Sequence, residues 1–232
     1  MNIRRIIALL CLLLLPLHAL GQEKLKTTPK IFQVSYKSEE RILGKNERLI
    51  YKEYLRTSNK QVNQLLKEIV DGFDEQYSSQ VPPDPSKNAR RNNRLDIEIT
   101  YYRTGQSWLS TLICARIQSG RSQLINPFTT RSFDLKTGQR ILLTDIFPVD
   151  SAAWDLLTQR TQEHLSQVFP GEARDTATIK ALTDRDALEK AEFTLGAMEL
   201  TLHFEARQLI PQQTGLIHVR FFYPEFEGMM SQ

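Results

Sequence analysis

Leu95, Ile97, Ile99 and Tyr101 alternate with Asp96, Glu98, Thr100 and Tyr102, the period-two pattern of a strand with one buried and one wetter face. A three-residue connection, Thr104-Gly105-Gln106, leads to a second such run, pairing Tyr101 with Leu109, Ile99 with Thr111, Ile97 with Ile113 and Leu95 with Ala115. That register gathers the apolar side chains on one face. It sets Tyr102 opposite Trp108 on the other, with Glu98 near Leu112 and Asp96 near Cys114. Further on, Phe133 and Leu135 alternate with polar neighbours, Lys136-Thr137-Gly138 supplies a turn with glycine where positive φ is expected, and Ile141 and Leu143 resume the alternation.

The same reading places early strands at Ile31–Tyr36 and Leu49–Leu55. Val62, Leu65, Leu66, Ile69, Val70 and Phe73 recur at helical spacing behind a Ser58 or Asn59 cap. The prolines at 82, 83 and 85 stop that helix and open an exposed loop running to Arg94. Leu124–Leu135 and Arg140–Leu143 extend the sheet. Asp150 or Ser151 starts a helix to about Phe169 with Trp154, Leu157, Leu165 and Val168 inward. A shorter helix follows from about Ala173 to Lys190. Met198, Leu200, Leu202 and Phe204 alternate with Glu199, Thr201, His203 and Glu205. Ile217, Val219, Phe221 and Tyr223 do likewise, so these two strands are expected to pair. Elements arriving in blocks joined by hairpins imply an α+β fold of antiparallel sheets, with amphipathic helices packed on one face.

Composition sets the compartment and narrows the partners. Arg4 and Arg5, the apolar run Ile6–Leu15 and the small residues at Ala19 and Gly21 form a secretory signal over residues 1–21, with cleavage before Gln22. The run is shorter than the ~20 residues a membrane span needs, so export without an anchor is expected. Only Cys114 remains after cleavage, which excludes an intramolecular disulfide. A chain that is 41% hydrophobic carries enough apolar material to hold a core without one. Thirty basic residues less Arg4 and Arg5 leave 28 against 27 acidic ones, a net charge of +1. Nucleic acid is thereby disfavoured as a partner, because phosphate neutralisation needs a concentrated basic surface.

The run Phe133-Asp134-Leu135-Lys136-Thr137-Gly138-Gln139 with Leu142-Leu143-Thr144-Asp145-Ile146-Phe147 is preceded by Ser107-Trp108-Leu109-Ser110 and followed by Pro211-x-x-x-Gly215 and Tyr223-Pro224-Glu225-Phe226-Glu227-Gly228. This pattern resembles the extracytoplasmic domain of the lysozyme-sensing anti-sigma factor, a domain that also precedes the catalytic part of some bacterial peptidoglycan deacetylases. The resemblance covers roughly residues 31 to 230 in element order. It implies two related subdomains, 22–128 and 129–232, and a role in the cell envelope. Ser119-Gly120-Arg121-Ser122 stands where family members often carry Gly-Gly-Ala-His, and the chain shows neither the anti-sigma segment nor a deacetylase domain.

Candidate chemistry is sparse. His203 and His218 share a strand face with Glu199 and Glu205, a set able to hold zinc in principle, but Arg220 on that face opposes a dication and a solvated polar face is the plainer reading. His164 flanks the inward stripe of its helix. Cys114 sits among Leu112, Ile113 and Ala115 and reads as an inert thiol. The chain has no Gly-x-Ser-x-Gly elbow, His-Glu-x-x-His, Cys-x-x-Cys or phosphate loop. Binding has better candidates. Tyr102 and Trp108 offer aromatic faces for a sugar ring, with Asp96 and Glu98 beside them to accept hydroxyl hydrogen bonds. Lys87, Arg90, Arg91 and Arg94 make a basic loop suited to an acidic polymer or to solubility alone.

The sequence therefore implies a secreted or periplasmic, non-catalytic binding or sensing domain that needs no metal or cofactor. Its partner would be peptidoglycan, another glycan or a cell-wall-associated protein, not nucleic acid. The competing reading is an envelope hydrolase, such as a polysaccharide deacetylase, with a site assembled from scattered acids and histidines.

Overall fold

The computed structural model describes residues 34–43, 48–81, 93–104, 107–119, 122–125, 127–168, 176–211 and 213–230; the expected signal segment and Lys87, Arg90 and Arg91 of the expected basic loop lie outside them. The first sheet contains β1 (Ser35–Leu43), β2 (Arg48–Arg56), β3 (Asn93–Thr104), β4 (Trp108–Ser119), β5 (Ser122–Ile125), β6 (Phe128–Asp134) and β7 (Arg140–Ile141). Its order is β1-β2-β3-β4-β6-β7, with β5 paired to β4. A second sheet runs β10-β9-β8, from β8 (Glu192–Leu195), β9 (Glu199–Glu205) and β10 (Leu216–Phe222). The fold is α+β, as its element pattern implies.

One strand pair departs from the antiparallel expectation. β2 and β3 run parallel, Leu49 opposite Arg94 and Lys52 opposite Ile97. The connection explains it: helix α1 (Lys60–Tyr77) carries the chain back along the sheet, and a crossover of that length permits parallel pairing where a tight turn does not. Asn59 caps α1 by accepting from the backbone N–H groups of Gln61 and Val62. Its Nδ2 also donates to the Leu135 carbonyl at 3.1 Å. Gly138 (φ 78°) closes the β6–β7 turn against this cap; a Cβ there would lie 3.0 Å from Asn59 Nδ2, so glycine is required by both backbone and space. The hairpin motif is thus bolted to the start of α1.

The β3–β4 register differs from expectation by two residues. Tyr101 faces Thr111, Ile99 faces Ile113, Leu95 faces Ile117, and Tyr102 faces Ser110, not Trp108. Thr104 and Trp108 are the last pair, so the connection is residues 105–107. A shift of two returns every side chain to its original face; hydrophobic alternation cannot distinguish the two registers, and the turn decides. Arg94, expected in the loop, belongs to β3.

Two cores result. The first gathers Ile50, Leu95, Ile97, Ile113, Ile117, Phe133 and Leu135 from one face of the large sheet against Val62, Leu66 and Val70 of α1. The second joins Leu200, Leu202, Phe204, Val219 and Phe221 to α2 (Leu143–Ile146), α3 (Ala153–Val168), α4 (Thr176–Leu182) and α5 (Arg185–Glu189). The single helix expected over 173–190 is two, because Asp184 leaves helical backbone (ψ 164°) and caps α5 through the Ala187 N–H. β8, four residues long, has no sequence signature strong enough to be predicted. It lies across the outer face of the large sheet. Its free-edge donors are taken by side chains there, Phe193 N–H by Thr130 Oγ1 at 2.8 Å and Leu195 N–H by Ser110 Oγ at 2.9 Å.

Candidate functional site

Alternation along β2 puts Ile50, Lys52 and Tyr54 on the face covered by α1, so a lysine occupies a core-facing position and its side chain is only 12% exposed. A lone ammonium there is costly. Asp71 and Asp74, three apart and hence on one side of α1, supply the counter-charge at 3.2 and 3.0 Å from Lys52 Nζ. Arg41 of the neighbouring strand reaches Asp74 at 2.5 Å, the Tyr54 hydroxyl donates to Asp71 at 2.9 Å, and Lys67, one turn earlier on α1, pairs with Asp71. Burial works against the charged form of Lys52, but hydrogen bonding to Tyr54, Asp74 and Asp71 outweighs it and holds the ammonium above its ordinary range. Burial likewise pushes Asp71 up, and bonds from Lys67, Tyr54 and Lys52 bring it down below the usual carboxylate value.

These charges line a hollow of about 450 Å³, whose walls include Arg41, Lys52, Asp71 and Asp74. A second hollow of about 230 Å³ adds Lys37, Leu55, Arg56 and Asn63. Both share Glu39, Tyr54 and Lys67, so they form one groove between α1 and the β1–β2 hairpin. Its deep end is acid-rich and internally neutralised. Its other end carries Arg56, Lys37 paired with Glu39 at 2.5 Å, and Lys67 paired with Asp71, beside the buried Tyr54 ring. Asp71 and Asp74 are already engaged by cations, so the arrangement offers polar and ionic contacts, not a free general base.

The residues singled out from sequence are spread along β3 and β4. Asp96 is 2% exposed and bonded to Arg94 Nε at 2.6 Å, burial raising its carboxyl against that charge. Glu98 accepts from Arg116 at 3.0 Å. Tyr102 is half-buried, its phenol raised by desolvation against the opposing charge of Arg220. Trp108 packs against the second core. Tyr102 and Trp108 are diagonal neighbours on one face, two positions out of register. Asp96, six residues before Tyr102, lies about 20 Å along the strand. One sugar ring cannot touch all four.

His203 and His218 do face each other across β9 and β10, Nδ1 to Nδ1 at 2.9 Å, but their face is not solvated at His203, which is 4% exposed. The large sheet covers it: Phe128 of β6 meets the His203 ring edge-on, and Thr194 Oγ1 bonds its Nε2 at 2.9 Å. Burial, aided by His218, takes His203 down to about 3, leaving a neutral imidazole. Among the described residues no group of three or more metal-ligating side chains converges. Burial pushes the Cys114 thiol up to about 11. The groove itself was not picked out from sequence, yet two signals point to it: a lysine in a core-facing strand position, and two aspartates spaced three apart on one helix.

The fold is similar to the crystal structure of a DUF3298 family protein from Pseudomonas aeruginosa PAO1, with a TM-score of 0.58 and 10% identity over 88% of this chain and 96% of that one. A DUF3298 family member from Bacteroides fragilis matches at a TM-score of 0.47 and 16% identity, over 87% of this chain and 93% of that one. No family model matches the chain, and no curated protein does. What the chain shares with the Pseudomonas structure is its fold.

Proposed function

We propose that this chain is an extracytoplasmic, non-catalytic binding domain of the bacterial cell envelope, and that its ligand is a carboxylate-bearing glycan such as peptidoglycan, held in the groove between α1 and the β1–β2 hairpin. The observation carrying this reading is the groove's division of labour. Its buried charges, Lys52, Asp71 and Asp74, neutralise one another and set the walls, while Lys37, Arg56 and Lys67 stand at the cationic end beside the Tyr54 ring. A polymer with hydroxyls and carboxylates matches that combination through charge-assisted hydrogen bonds. The signal over residues 1–21 and the hairpin motif at 133–147 support an envelope location and kinship with the anti-sigma and deacetylase-associated domain. The β3–β4 face bearing Tyr102, Trp108, Asp96 and Glu98 is the weaker proposed surface, because Asp96 is 2% exposed and Trp108 packs inward.

Retention of the purified chain on cell-wall glycan tests the proposal. The parent is expected to bind in a salt-sensitive manner, and Arg56→Gln with Lys67→Gln is expected to weaken binding about tenfold, the scale of one charge-assisted hydrogen bond. No retention, or equal retention of the double variant, contradicts it. Release of a deacetylated or cleaved product would favour the hydrolase reading instead.

A further inference from the structure

β1 forms one margin of the large sheet and pairs with β2 along nine residues, Ser35 opposite Arg56 through Leu43 opposite Arg48. Among the described residues no strand covers its other edge, and Ser35 to Ile42 are exposed throughout. A nine-residue exposed edge presents a row of backbone donors and acceptors ready to template another strand. Edges are ordinarily blunted by charge, proline, a bulge or extreme shortness. Here β1 has no proline and is uninterrupted over nine residues. Its charges alternate in sign, Lys37, Glu39 and Arg41 on one face with Tyr36, Ser38, Glu40 and Ile42 on the other.

We propose that the β1 edge pairs with the β1 edge of a second copy of this chain, antiparallel about a two-fold axis at Ser38, joining two large sheets into one. The registers open to such symmetry differ in what they bring together. Centring on Glu39 opposes glutamate to glutamate and Lys37 to Arg41. Centring on Glu40 opposes glutamate to glutamate again, and centring on Lys37 opposes the two lysines. Centring on Ser38 places Lys37 opposite Glu39 twice, Tyr36 opposite Glu40 twice, Ser35 opposite Arg41 and Val34 opposite Ile42, with no like-charge pair. Centring on Tyr36 also avoids like charges but opposes no ion pair and joins less of the strand. Opposite charges directly across an antiparallel ladder stabilise it and like charges destabilise it, so charge and length of overlap together favour Ser38. The pairing is isologous and self-limiting, because the two edges consume each other. Tyr36 and Ile42, among the most exposed large hydrophobics at 51% and 41%, lie on the face the pairing would partly cover. The inference does not rest on the glycan proposal, and since Lys37 and Glu39 also line the groove, dimer formation and glycan retention are read separately for each variant.

The test is site-specific crosslinking combined with sedimentation of the purified full chain. The parent is expected to show a concentration-dependent dimer. Ser38→Cys is expected to crosslink to a covalent dimer under mild oxidation, because directly opposed residues have Cα atoms about 4.5–5.5 Å apart, within disulfide reach. Glu40→Cys, whose symmetry mate lies four residues further along, is expected not to. Cys114 contributes little background, its thiol being half-buried and raised to about 11, and Cys11 is replaced by Ser in every variant so that it contributes none. Lys37→Glu is expected to raise the dimer dissociation constant about tenfold by opposing two glutamate pairs, and Lys37→Glu with Glu39→Lys to restore it. Circular dichroism of each variant checks folding. A chain monomeric at every concentration overturns the proposal. So does equal crosslinking at positions 38 and 40, or failure of the double reversal to restore a dimer that the single reversal weakened.

Discussion

Where α1 meets β1 and β2 the buried polar groups are full charges, whereas where β8 crosses β4 and β6 they are hydroxyls, an imidazole pair and one carboxylate, Glu192, that accepts from the Thr130 N–H, Thr130 Oγ1 and Thr129 Oγ1. The charged region borders an open groove into which an incoming ligand can reach. The neutral region is closed between two sheets, where Ser110 Oγ bonds Ser132 Oγ at 2.6 Å and accepts from the Leu195 N–H at the edge of β8. Sealing two sheets takes groups that can be fully paired at low desolvation cost. Holding a polar ligand takes charges whose geometry is set before it arrives.

Removing one carboxylate from the charged region is the severest way to break this contrast. Asp74→Ala leaves Lys52 buried with Asp71 alone and Arg41 without its acceptor, so unfolding by urea should show a loss of about 3 kcal/mol. A loss below about 1 kcal/mol would mean that water already solvates Lys52 and that the region is not a fixed frame.

In the neutral region the decisive variable is pH. His203 has a folded value near 3 against an ordinary 6.5, so the unfolded chain binds a proton that the folded chain refuses. Its contribution is complete above pH 6.5 and is lost as pH falls through the window from 6.5 towards 3, about 2 kcal/mol by pH 5. Arg220, Glu205 and Glu192 are the charged groups nearest this pair in register, and His218, also lowered by burial, adds to the same trend. Stability measured in parent and His203→Gln should diverge across that window; parallel pH profiles would show that the imidazole takes up its proton as readily folded as unfolded.

Ser110→Ala strips the acceptor from the Leu195 N–H and should cost about 1.5 kcal/mol by thermal unfolding. Ser132→Ala, which leaves Ser110 in place, should cost less; the reverse order would place the staple elsewhere. The smallest effect belongs to Lys67→Ala at the solvent rim. Its ion pair with Asp71 is exposed, and the stability change should stay within about 0.5 kcal/mol and vanish at high salt.

How much of this was legible beforehand follows from which forces leave a local mark. The stripe on α1, the faces of β3, β4, β9 and β10, and the positive-φ turn at Gly138 are written in residue spacing and glycine placement. A two-residue slip leaves no trace in alternation, so the Tyr102–Trp108 pairing was misplaced although the face was right. His203 reads as a surface residue because its strand alternates cleanly; what buries it is the large sheet, brought over by β8, too short to announce itself. The groove depends on a lysine and two aspartates 19 and 22 residues away on another element, and only the parallel β2–α1–β3 crossover brings them together.

The central claim is that the groove of α1 and the β1–β2 hairpin is where this domain engages the cell wall, and backbone amide chemical shifts recorded while a soluble peptidoglycan fragment is titrated in test it most directly. The account predicts saturable shifts clustered at Lys37, Tyr54, Arg56 and Lys67, with Asp96 and Leu195 unmoved. Shifts confined to β3 and β4 around Tyr102, or none at all up to the solubility of the fragment, would contradict it.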